Sequence, residues 1–241
     1  MRVPLARYGI RELLLGCALF GGAAAVAMVA FPAPLSWLLA LIPLLGLVFT
    51  VSFFRDPDRP LPQDETLVIS PADGTVADIV QLPKHPFMEG PAWRIGIFLS
   101  VFNVHVNRAP VSGKVTLLSH KPGAYLDARD PEASEDNEAQ DLGLEVEDAE
   151  GNGYPVLVRQ IAGLVARRIV CTPQIGQALA RGERFGMIKF GSRTEVFLPV
   201  ERTASVDVKV GQKLRGGFDV VARLHVPISA QTREPAVDEV S

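Results

Sequence analysis

The chain has 241 residues with 24 basic and 27 acidic side chains, a formal net charge of -3 and two cysteines. This balance excludes a strongly basic nucleic-acid-binding domain, and two cysteines are too few for a disulfide framework or a thiolate zinc site. The length is that of one ordinary domain, or of one domain with an appendage.

The N-terminal part of the chain contains an uncharged run from Leu13 to Phe54, which is 42 consecutive residues. As a helix rising about 1.5 Å per residue, the run would be about twice as long as a hydrocarbon core roughly 30 Å thick. Pro32 and Pro34 divide it, so residues 1–54 are predicted to form a transmembrane helical hairpin. A second apolar segment directly after the first is not typical of a cleaved signal peptide.

The charges that flank the hairpin predict its orientation. Basic residues precede the first span and follow the second, namely Arg2, Arg7, Arg11, Arg55 and Arg59. Because positive residues are retained on the cytoplasmic side of a membrane, both ends of the hairpin are predicted to lie in the cytoplasm. The rest of the chain would then sit on the cytoplasmic face of the cell (inner) membrane.

The remainder of the chain has the pattern of a β-rich domain. Residues 55–65, "RDPDRPLPQDE", combine prolines with charges and are predicted to be a linker. From 66 to 226, short runs rich in Val and Ile alternate with Gly and Pro, which predicts a mainly β, β-rich α+β fold. "SPADGTVADIV" and "VKVGQKLRGGFDVVARL" resemble the half-motifs of barrel-sandwich hybrid domains, so a barrel-sandwich-like architecture is expected. Residues 227–241 are predicted to be a flexible tail.

Two segments of this domain are predicted to depart from the strand pattern. Residues 175–181 have the composition of a short helix, which Gly182 would end. Residues 127–150 contain 11 acidic side chains and one arginine, Arg129. The acidic residues lack the order of a calcium-binding loop, so a solvated loop without a metal site is predicted.

Four histidines and one aspartate are the first candidates for acid–base chemistry. His85 lies between prolines and is predicted to be an exposed loop residue, while His120 and His225 are predicted at strand ends. His105 follows an apolar strand in polar surroundings, where a rigid sheet can hold a reactive side chain. Asp73 in "SPADG" is either a turn residue or a carboxylate that orients a histidine.

Gly191 and Ser192 in "FGSRTEVFLP" lie between two predicted strands, residues 185–190 and 194–198. A glycine before a serine at such a junction is usually a turn, because glycine tolerates positive φ and serine bonds its own backbone. The serine is also a candidate nucleophile, and the bond between the two residues is a candidate for self-cleavage. The residues themselves leave these alternatives open.

Six segments together resemble a known family. "FGSRTEVFLP", preceded by "GERFGMIKF", is similar to the self-cleavage site of the phosphatidylserine decarboxylase proenzymes, in their short bacterial and archaeal form. Five further segments match in the expected order: "FFRDPDR", "SPADGTV", "NVHVNRAPVSG", "EASEDNE" and "QIAGLVARRIV". The resemblance covers most of residues 53–200. It implies a self-processing enzyme that converts phosphatidylserine to phosphatidylethanolamine and carbon dioxide.

The resemblance implies that the chain cuts itself between Gly191 and Ser192. Ser192 would attack the carbonyl carbon of Gly191, and β-elimination followed by hydrolysis would convert the serine to a covalent pyruvoyl group, the cofactor. The products would be a β chain of 191 residues and an α chain of 241 - 191 = 50 residues. These two chains would stay together as a heterodimer, with a phospholipid in the membrane as substrate.

Roles for two further residues follow from the same resemblance. Asp73 and His105 would activate Ser192, and His105 would also return a proton during turnover. The longer enzymes of the family have two histidines three residues apart, and Arg108 occupies the second position here. The resemblance therefore implies that His105 serves both steps or that His120 assists.

Three residues are predicted to bind the substrate. Arg167 and Arg168 are candidates for the phosphodiester, because an arginine fork matches phosphate oxygens. Neighbours in a strand point to opposite faces, so only one of the two is expected to contact lipid, and an exposed strand-edge pair is the alternative. Asn137 in "EASEDNE" is predicted to contribute as well.

Two other classes of function remain open from the sequence. One is a non-catalytic, membrane-tethered barrel-sandwich adaptor or carrier. The other is a serine hydrolase that uses Asp73, His105 and Ser192 without cutting itself, although the chain lacks a Gly-x-Ser-x-Gly elbow around Ser192.

Overall fold

The computed structural model describes residues 4–130, 133–164, 168–189 and 192–226. The chain divides into two compact units, of which the first ends at Asp58 and the second begins at Arg59. This division falls inside the predicted linker, residues 55–65. The exact domain limits stay predictions, and the predicted tail, residues 227–241, lies outside the described residues.

The first unit is a pair of helices, α1 (Ile10–Ala30) and α2 (Leu35–Phe53). Small residues let the two helices approach closely: a Cβ atom on Gly16 would lie 2.7 Å from the Cγ2 atom of Thr50. Each helix is long and apolar enough to cross a membrane, and most of the large apolar side chains are exposed. The predicted helical pair is therefore confirmed, and it is consistent with a membrane anchor.

The second unit is built from β-strands, with one short α-helix and two 3-10 helices, Pro86–Met88 and Val200–Arg202, among its described residues. The α-helix is α3 (Ala133–Asp136), and the strands are β1 (Leu67–Ile69), β2 (Gly74–His85), β3 (Gly90–Leu99), β4 (Val106–Arg108), β5 (Gly113–Lys121), β6 (Ala139–Glu147), β7 (Gly153–Ile161), β8 (Arg168–Cys171), β9 (Ala178–Leu179), β10 (Arg184–Lys189), β11 (Ser192–Pro199), β12 (Thr203–Val206), β13 (Lys213–Leu214) and β14 (Val220–Leu224). The predicted β-rich fold is confirmed.

These strands form three sheets. A curled sheet of eight strands has the order β13-β2-β3-β11-β7-β6-β5-β9. Two sheets of three strands have the orders β4-β10-β8 and β1-β14-β12. All the pairings are antiparallel.

The central strand β11 is buried on both of its faces. Val196 and Leu198 point into the main hydrophobic core, and strand alternation puts Ser192 and Thr194 on the same face. Arg193 and its alternate neighbours point to the opposite face. The two faces of β11 therefore have different chemistry.

The predicted helix over residues 175–181 is wrong. This segment makes a turn that includes Gly176, followed by β9, in which Leu179 pairs with Gly113 of β5. Gly176 has φ of +88°, which is outside the helical region. Pairing with a neighbouring strand has overridden the local helical preference.

The predicted solvated loop over residues 127–150 is also wrong for its second half. Strand β6 runs through this acidic segment and pairs with β5 on one side and β7 on the other. Leu142, Leu144 and Val146 recur at every second position and are fully buried. Burial of these three apolar side chains on one face of β6 stabilises the strand. The acidic side chains of β6 do not oppose it, because they lie on the other face.

Candidate active site

The reactive-serine candidate lies at one end of the eight-stranded sheet. Ser192 begins β11 and pairs with Leu99, the last residue of β3. On the other side of β3, Thr75 pairs with Phe98, so β2 starts at this same end, directly after Asp73. We call this end, where β11 and β2 start and β3 finishes, the Ser192 end of the sheet.

The sheet β4-β10-β8 brings three more residues to the Ser192 end. The Ile188 amide donates a hydrogen bond of 3.3 Å to the carbonyl oxygen of His105, just before β4. Lys189, the last residue of β10, pairs with Arg168, the first residue of β8. Only two residues separate Lys189 from Ser192 in the chain. Both sheets therefore converge where the serine lies.

Two residues of the predicted site, Gly191 and Arg167, lie outside the described residues. Arg168 is an exposed residue beside the end of β10. His120 and His225 are both exposed, His120 near the end of β5 and His225 directly after β14. The substrate-binding and catalytic roles given to these residues stay predictions.

The hydroxyl group of Ser192 is buried, and its oxygen has no hydrogen-bond partner among the described residues. Most buried polar side-chain atoms in proteins do have such a partner. An unsatisfied hydroxyl costs free energy, and such a group is a recognised feature of reactive sites. The burial also keeps bulk water from the oxygen.

The ring of His105 is buried and oriented by a main-chain group. Its Nδ1 atom lies 3.0 Å from the carbonyl oxygen of Asn103. A carbonyl oxygen only accepts hydrogen bonds, so Nδ1 carries the hydrogen in this contact. In the neutral ring, Nε2 is then the basic nitrogen. In this tautomer the lone pair of Nε2 is available to accept a proton.

Asp73 is bound by an arginine that the sequence analysis did not select. Arg59 donates from Nη1 and Nη2 to the two carboxylate oxygens of Asp73, at 2.5 and 2.9 Å, and the Gly216 amide donates a third bond of 2.8 Å. None of the hydrogen bonds that Asp73 makes to described residues goes to His105. Arg59 appeared in the sequence only as a flanking charge and as the last residue of the matching segment "FFRDPDR".

Asn137 is fully buried and bonds the main chain of two loops. Its Nδ2 atom donates to the carbonyl oxygens of Leu126 and Ala162, at 3.0 and 2.8 Å, and its Oδ1 atom accepts from the Leu126 amide at 2.8 Å. Both amide hydrogens are thus in use. The side chain holds the loops after β5 and β7 together at the Ser192 end.

A ladder of buried amides connects the two sheets beside the serine. Gln160 Nε2 donates to Asn107 Oδ1 at 2.7 Å, and Asn107 Nδ2 donates to Thr194 Oγ1 at 3.2 Å. Asn107 is two residues after His105, and Thr194 is two residues after Ser192. The ladder therefore fixes the separation of the two backbones that carry the candidate base and nucleophile. Sequence reasoning missed it, because it joins residues far apart in the chain.

The opposite face of β11 carries a buried charge cluster. Arg193 donates to Asp78 and, through Nε, to Glu195 at 2.8 Å, and Ser134 Oγ donates to Glu195 at 2.8 Å. Burial lowers the pKa of Arg193, but these two carboxylates outweigh that effect and raise it. A Cβ atom at Gly96 would lie 2.1 Å from Arg193 Nη2, so glycine is required there.

A cavity of about 680 Å³ lies on this opposite face, lined in part by His85 and Phe197. The His85 ring is only 8% exposed and packs on Phe197, with ring centroids 4.6 Å apart. The predicted exposed loop position of His85 is therefore wrong, because the residue ends β2 inside this cavity. Burial lowers the pKa of His85. Strand alternation separates the cavity from Ser192.

Cys171 is the cysteine of the second unit, and its environment disfavours a reactive thiolate. Burial raises the pKa of its thiol to about 12. The thiolate is the nucleophilic form of cysteine, so this raised pKa disfavours Cys171 as a nucleophile near neutral pH.

Comparison with known proteins gives consistent matches. Residues 47–222 match the sequence model of the phosphatidylserine decarboxylase family. A phosphatidylserine decarboxylase proenzyme from Syntrophus aciditrophicus is 47% identical over 182 residues, covering 76% of this chain and 82% of the relative. One from Desulfotalea psychrophila is 39% identical over 223 residues, covering 92% of this chain and 98% of the relative.

Proposed function

The chain belongs to the phosphatidylserine decarboxylase family, and from that premise we propose that it converts phosphatidylserine to phosphatidylethanolamine and carbon dioxide with a pyruvoyl group made from Ser192. The single observation that carries this proposal for the present chain is the buried Ser192 hydroxyl. It has no hydrogen-bond partner among the described residues and lies where the ends of two sheets converge. A buried, unsatisfied hydroxyl is poised for reaction with a neighbouring group.

In the proposed maturation, Ser192 Oγ attacks the carbonyl carbon of Gly191 while His105 Nε2 accepts the hydroxyl proton. The peptide C–N bond breaks and an ester C–O bond forms, so the serine nitrogen becomes an amine. Loss of the Ser192 α-proton then breaks the ester on its serine side and releases Gly191 as a carboxylate. The dehydroalanine that remains takes up one water and loses ammonia, which leaves the pyruvoyl group.

The residues around Ser192 fit such a group. The main chain of β11 is held between β3 and β7, and the amide ladder ends at Thr194, two residues away. The chemistry the group supplies is a sink for the electron pair that remains when carbon dioxide departs. In this proposal His105 holds the proton for that carbon, and Arg168 binds the phosphodiester. Burial of Ser192 separates the site from bulk solvent.

We propose that the orientation of His105 comes from the Asn103 carbonyl, and that Asp73 acts through the turn that it stabilises. Arg59 and the Gly216 amide occupy both oxygens of Asp73. The turn leads directly into β2, which pairs with β3 beside Ser192. Asp73 and Arg59 are therefore positioning residues in this proposal, because the hydrogen bonds that Asp73 accepts from described residues come from Arg59 and Gly216.

We place the second unit on the cytoplasmic face of the inner membrane, because arginines flank the helical pair at both outer ends. We also propose that the two chains stay together as an αβ pair. A protease added to intact cells should leave the second unit undigested, because the membrane shields it. Digestion of the second unit by external protease would instead place it on the outer side.

The test of the function is a product assay with the purified full-length protein. Vesicles of phosphatidylcholine that contain phosphatidylserine should yield phosphatidylethanolamine and carbon dioxide in equal amounts, both measured by mass spectrometry. Reductive trapping with cyanoborohydride during the assay should add lipid mass to the 50-residue α chain and none to the β chain. Trapping on the β chain would contradict the assignment to Ser192.

A further inference from the structure

The loops at the Ser192 end carry three exposed apolar side chains. Phe102 is 74% exposed, Leu164 66% and Leu126 44%. Single exposed apolar residues are ordinary, but several around one site indicate a surface that contacts another molecule. We call these three residues the apolar rim.

Two members of the rim follow strands that flank β11. Phe102 is three residues beyond Leu99, which pairs with Ser192. Leu164 is three residues beyond Ile161, which pairs with the residue after Ser192 in β11. Neighbouring strands are about 4.8 Å apart, so both loops lie within a short distance of the serine.

The third member is held beside the second by a buried side chain. Asn137 binds the main chain of Leu126 on one loop and of Ala162 on the other. The loops after β5 and β7 are therefore crosslinked at Leu126 and Ala162. This gives Asn137 a positioning role.

We propose that the apolar rim docks the Ser192 end of the second unit on the surface of a phospholipid bilayer. The inference rests on the proposed function, because a phospholipid presents its reacting headgroup at that surface. The rim lies on the loops after β3, β5 and β7, at the end of the sheet where the headgroup has to arrive. A bilayer is the occupant that covers the rim and delivers the substrate at once.

The Phe102 turn is built for shallow insertion. The Asn103 amide donates to the Ser100 carbonyl oxygen at 2.9 Å, and Asn103 Oδ1 accepts from the Ser100 amide at 2.9 Å. These bonds satisfy main-chain groups that would be costly to bring into an apolar layer. Aromatic side chains are favoured in the interface between water and hydrocarbon.

Apolar contact, and not charge attraction, drives this docking. The loop that bears Leu126 also carries Asp127, Arg129 and Asp130, and Arg129 is paired with Asp127, so these charges give no net attraction to an anionic surface. Docking by polybasic segments weakens as salt screens the charges. Docking through the rim should therefore change little between low and high salt.

Fluorescence quenching tests the contact directly. Phe102→Trp and, as a matched control, Ile175→Trp are made in a background that carries Trp37→Phe and Trp93→Phe, which removes both native tryptophans. Ile175 is 61% exposed and lies beside the start of β5, at the opposite end of the sheet. Full-length protein is reconstituted in vesicles of brominated phosphatidylcholine. Bromine should quench the Phe102→Trp protein strongly and the Ile175→Trp protein much less. Equal quenching at the two positions would overturn the proposal.

Turnover gives an independent test. Phe102→Ser combined with Leu164→Ser should lower decarboxylation of phosphatidylserine in vesicles by about tenfold or more, because two large apolar contacts are lost. Ile175→Ser changes a side chain of similar exposure, 61%, at the opposite end of the sheet and should leave the rate unchanged. Both proteins should cut themselves normally and act equally on monomeric short-chain phosphatidylserine.

The outcomes separate this proposal from the proposed function. A rim variant with the wild-type rate on vesicles overturns the docking and leaves the function standing. A wild-type protein that decarboxylates neither vesicle nor short-chain phosphatidylserine overturns the function itself. A different pair of results would assign the rim to a second copy of the chain and overturn the bilayer contact. In that case the unchanged protein is a dimer in detergent, the protein with Phe102→Ser and Leu164→Ser is a monomer, and bromine leaves the Phe102→Trp protein unquenched.

Discussion

Ser192→Ala should be recovered as one chain of 241 residues, whereas the unchanged protein should separate into chains of 191 and 50 residues on a denaturing gel. The alanine has no hydroxyl, so neither the ester nor the pyruvoyl group can form. Decarboxylation should fall to the background rate. Intact-mass measurement checks the chain lengths, and the α chain should resist Edman sequencing because it lacks a free amine.

Ser112→Ala is the matched control for this change. Ser112 is also a buried serine, and its hydroxyl accepts a hydrogen bond from the Arg181 amide at 2.9 Å. Its loss should lower stability by about 1 kcal/mol and leave cleavage complete. An active Ser192→Ala protein, or a single full-length chain from active unchanged protein, would contradict the self-cleavage proposal.

His105→Ala should accumulate as uncut proenzyme, because the serine loses the base that accepts its proton. General-base catalysis contributes roughly a hundredfold to ten-thousandfold in rate, so cleavage within hours should become cleavage over weeks or none. A time course of the uncut band on denaturing gels measures this. His225→Ala, at an exposed strand end, is the control and should mature at the normal rate.

The proposed roles of His105 in self-cleavage and in decarboxylation can be separated by measuring both reactions in the His105→Ala protein. Normal cleavage with lost decarboxylation would move the maturation role elsewhere, and His120 would be the first residue to test. Survival of both reactions would make His105 a structural residue and would overturn its place in the site.

Asp73→Ala and Arg59→Ala separate two explanations of how the base is supported. Arg59 supplies two of the three hydrogen bonds that Asp73 accepts. If both residues act only by holding the turn before β2, the two variants should slow cleavage to a similar extent. If Asp73 acts directly on His105, Arg59→Ala should leave cleavage fast while Asp73→Ala stops it. Arg223→Ala, which breaks an exposed ion pair with Asp64, is the control.

The sequence predicted the helical pair and the strand-rich domain because those features depend on local patterns. An uncharged run divided by Pro32 and Pro34 already specifies two spans of suitable length. Strand β6 was not predicted because its many acidic residues were given more weight than its pattern of apolar residues. That pattern is visible in the sequence, since Leu142 and Leu144 occupy every second position. Residues 175–181 were predicted as a helix because their pairing with β5 is not visible in the local sequence.

The site was predictable where a short motif carries the chemistry. Ser192 and His105 lie in such motifs, and the structure brings both to the ends of sheets that converge. The contacts of Asp73 with Arg59, and of Asn107 with Thr194, join residues brought together only by folding. A single sequence contains no signal for such pairs, and the same holds for the cavity around His85.

The position of β11 in the middle of its sheet has a consequence for how the protein unfolds and refolds. Its hydrogen bonds run to β3 on one side and β7 on the other, while β14 and β13 pair with β1 and β2. In the proposed two-chain form, every one of these bonds would join two separate polypeptides. Unfolding would then release a fragment that must find its partner by diffusion, so refolding would become second order in concentration, whereas the uncut chain refolds alone. The stability of the proposed mature enzyme would therefore depend on slow separation of these strands.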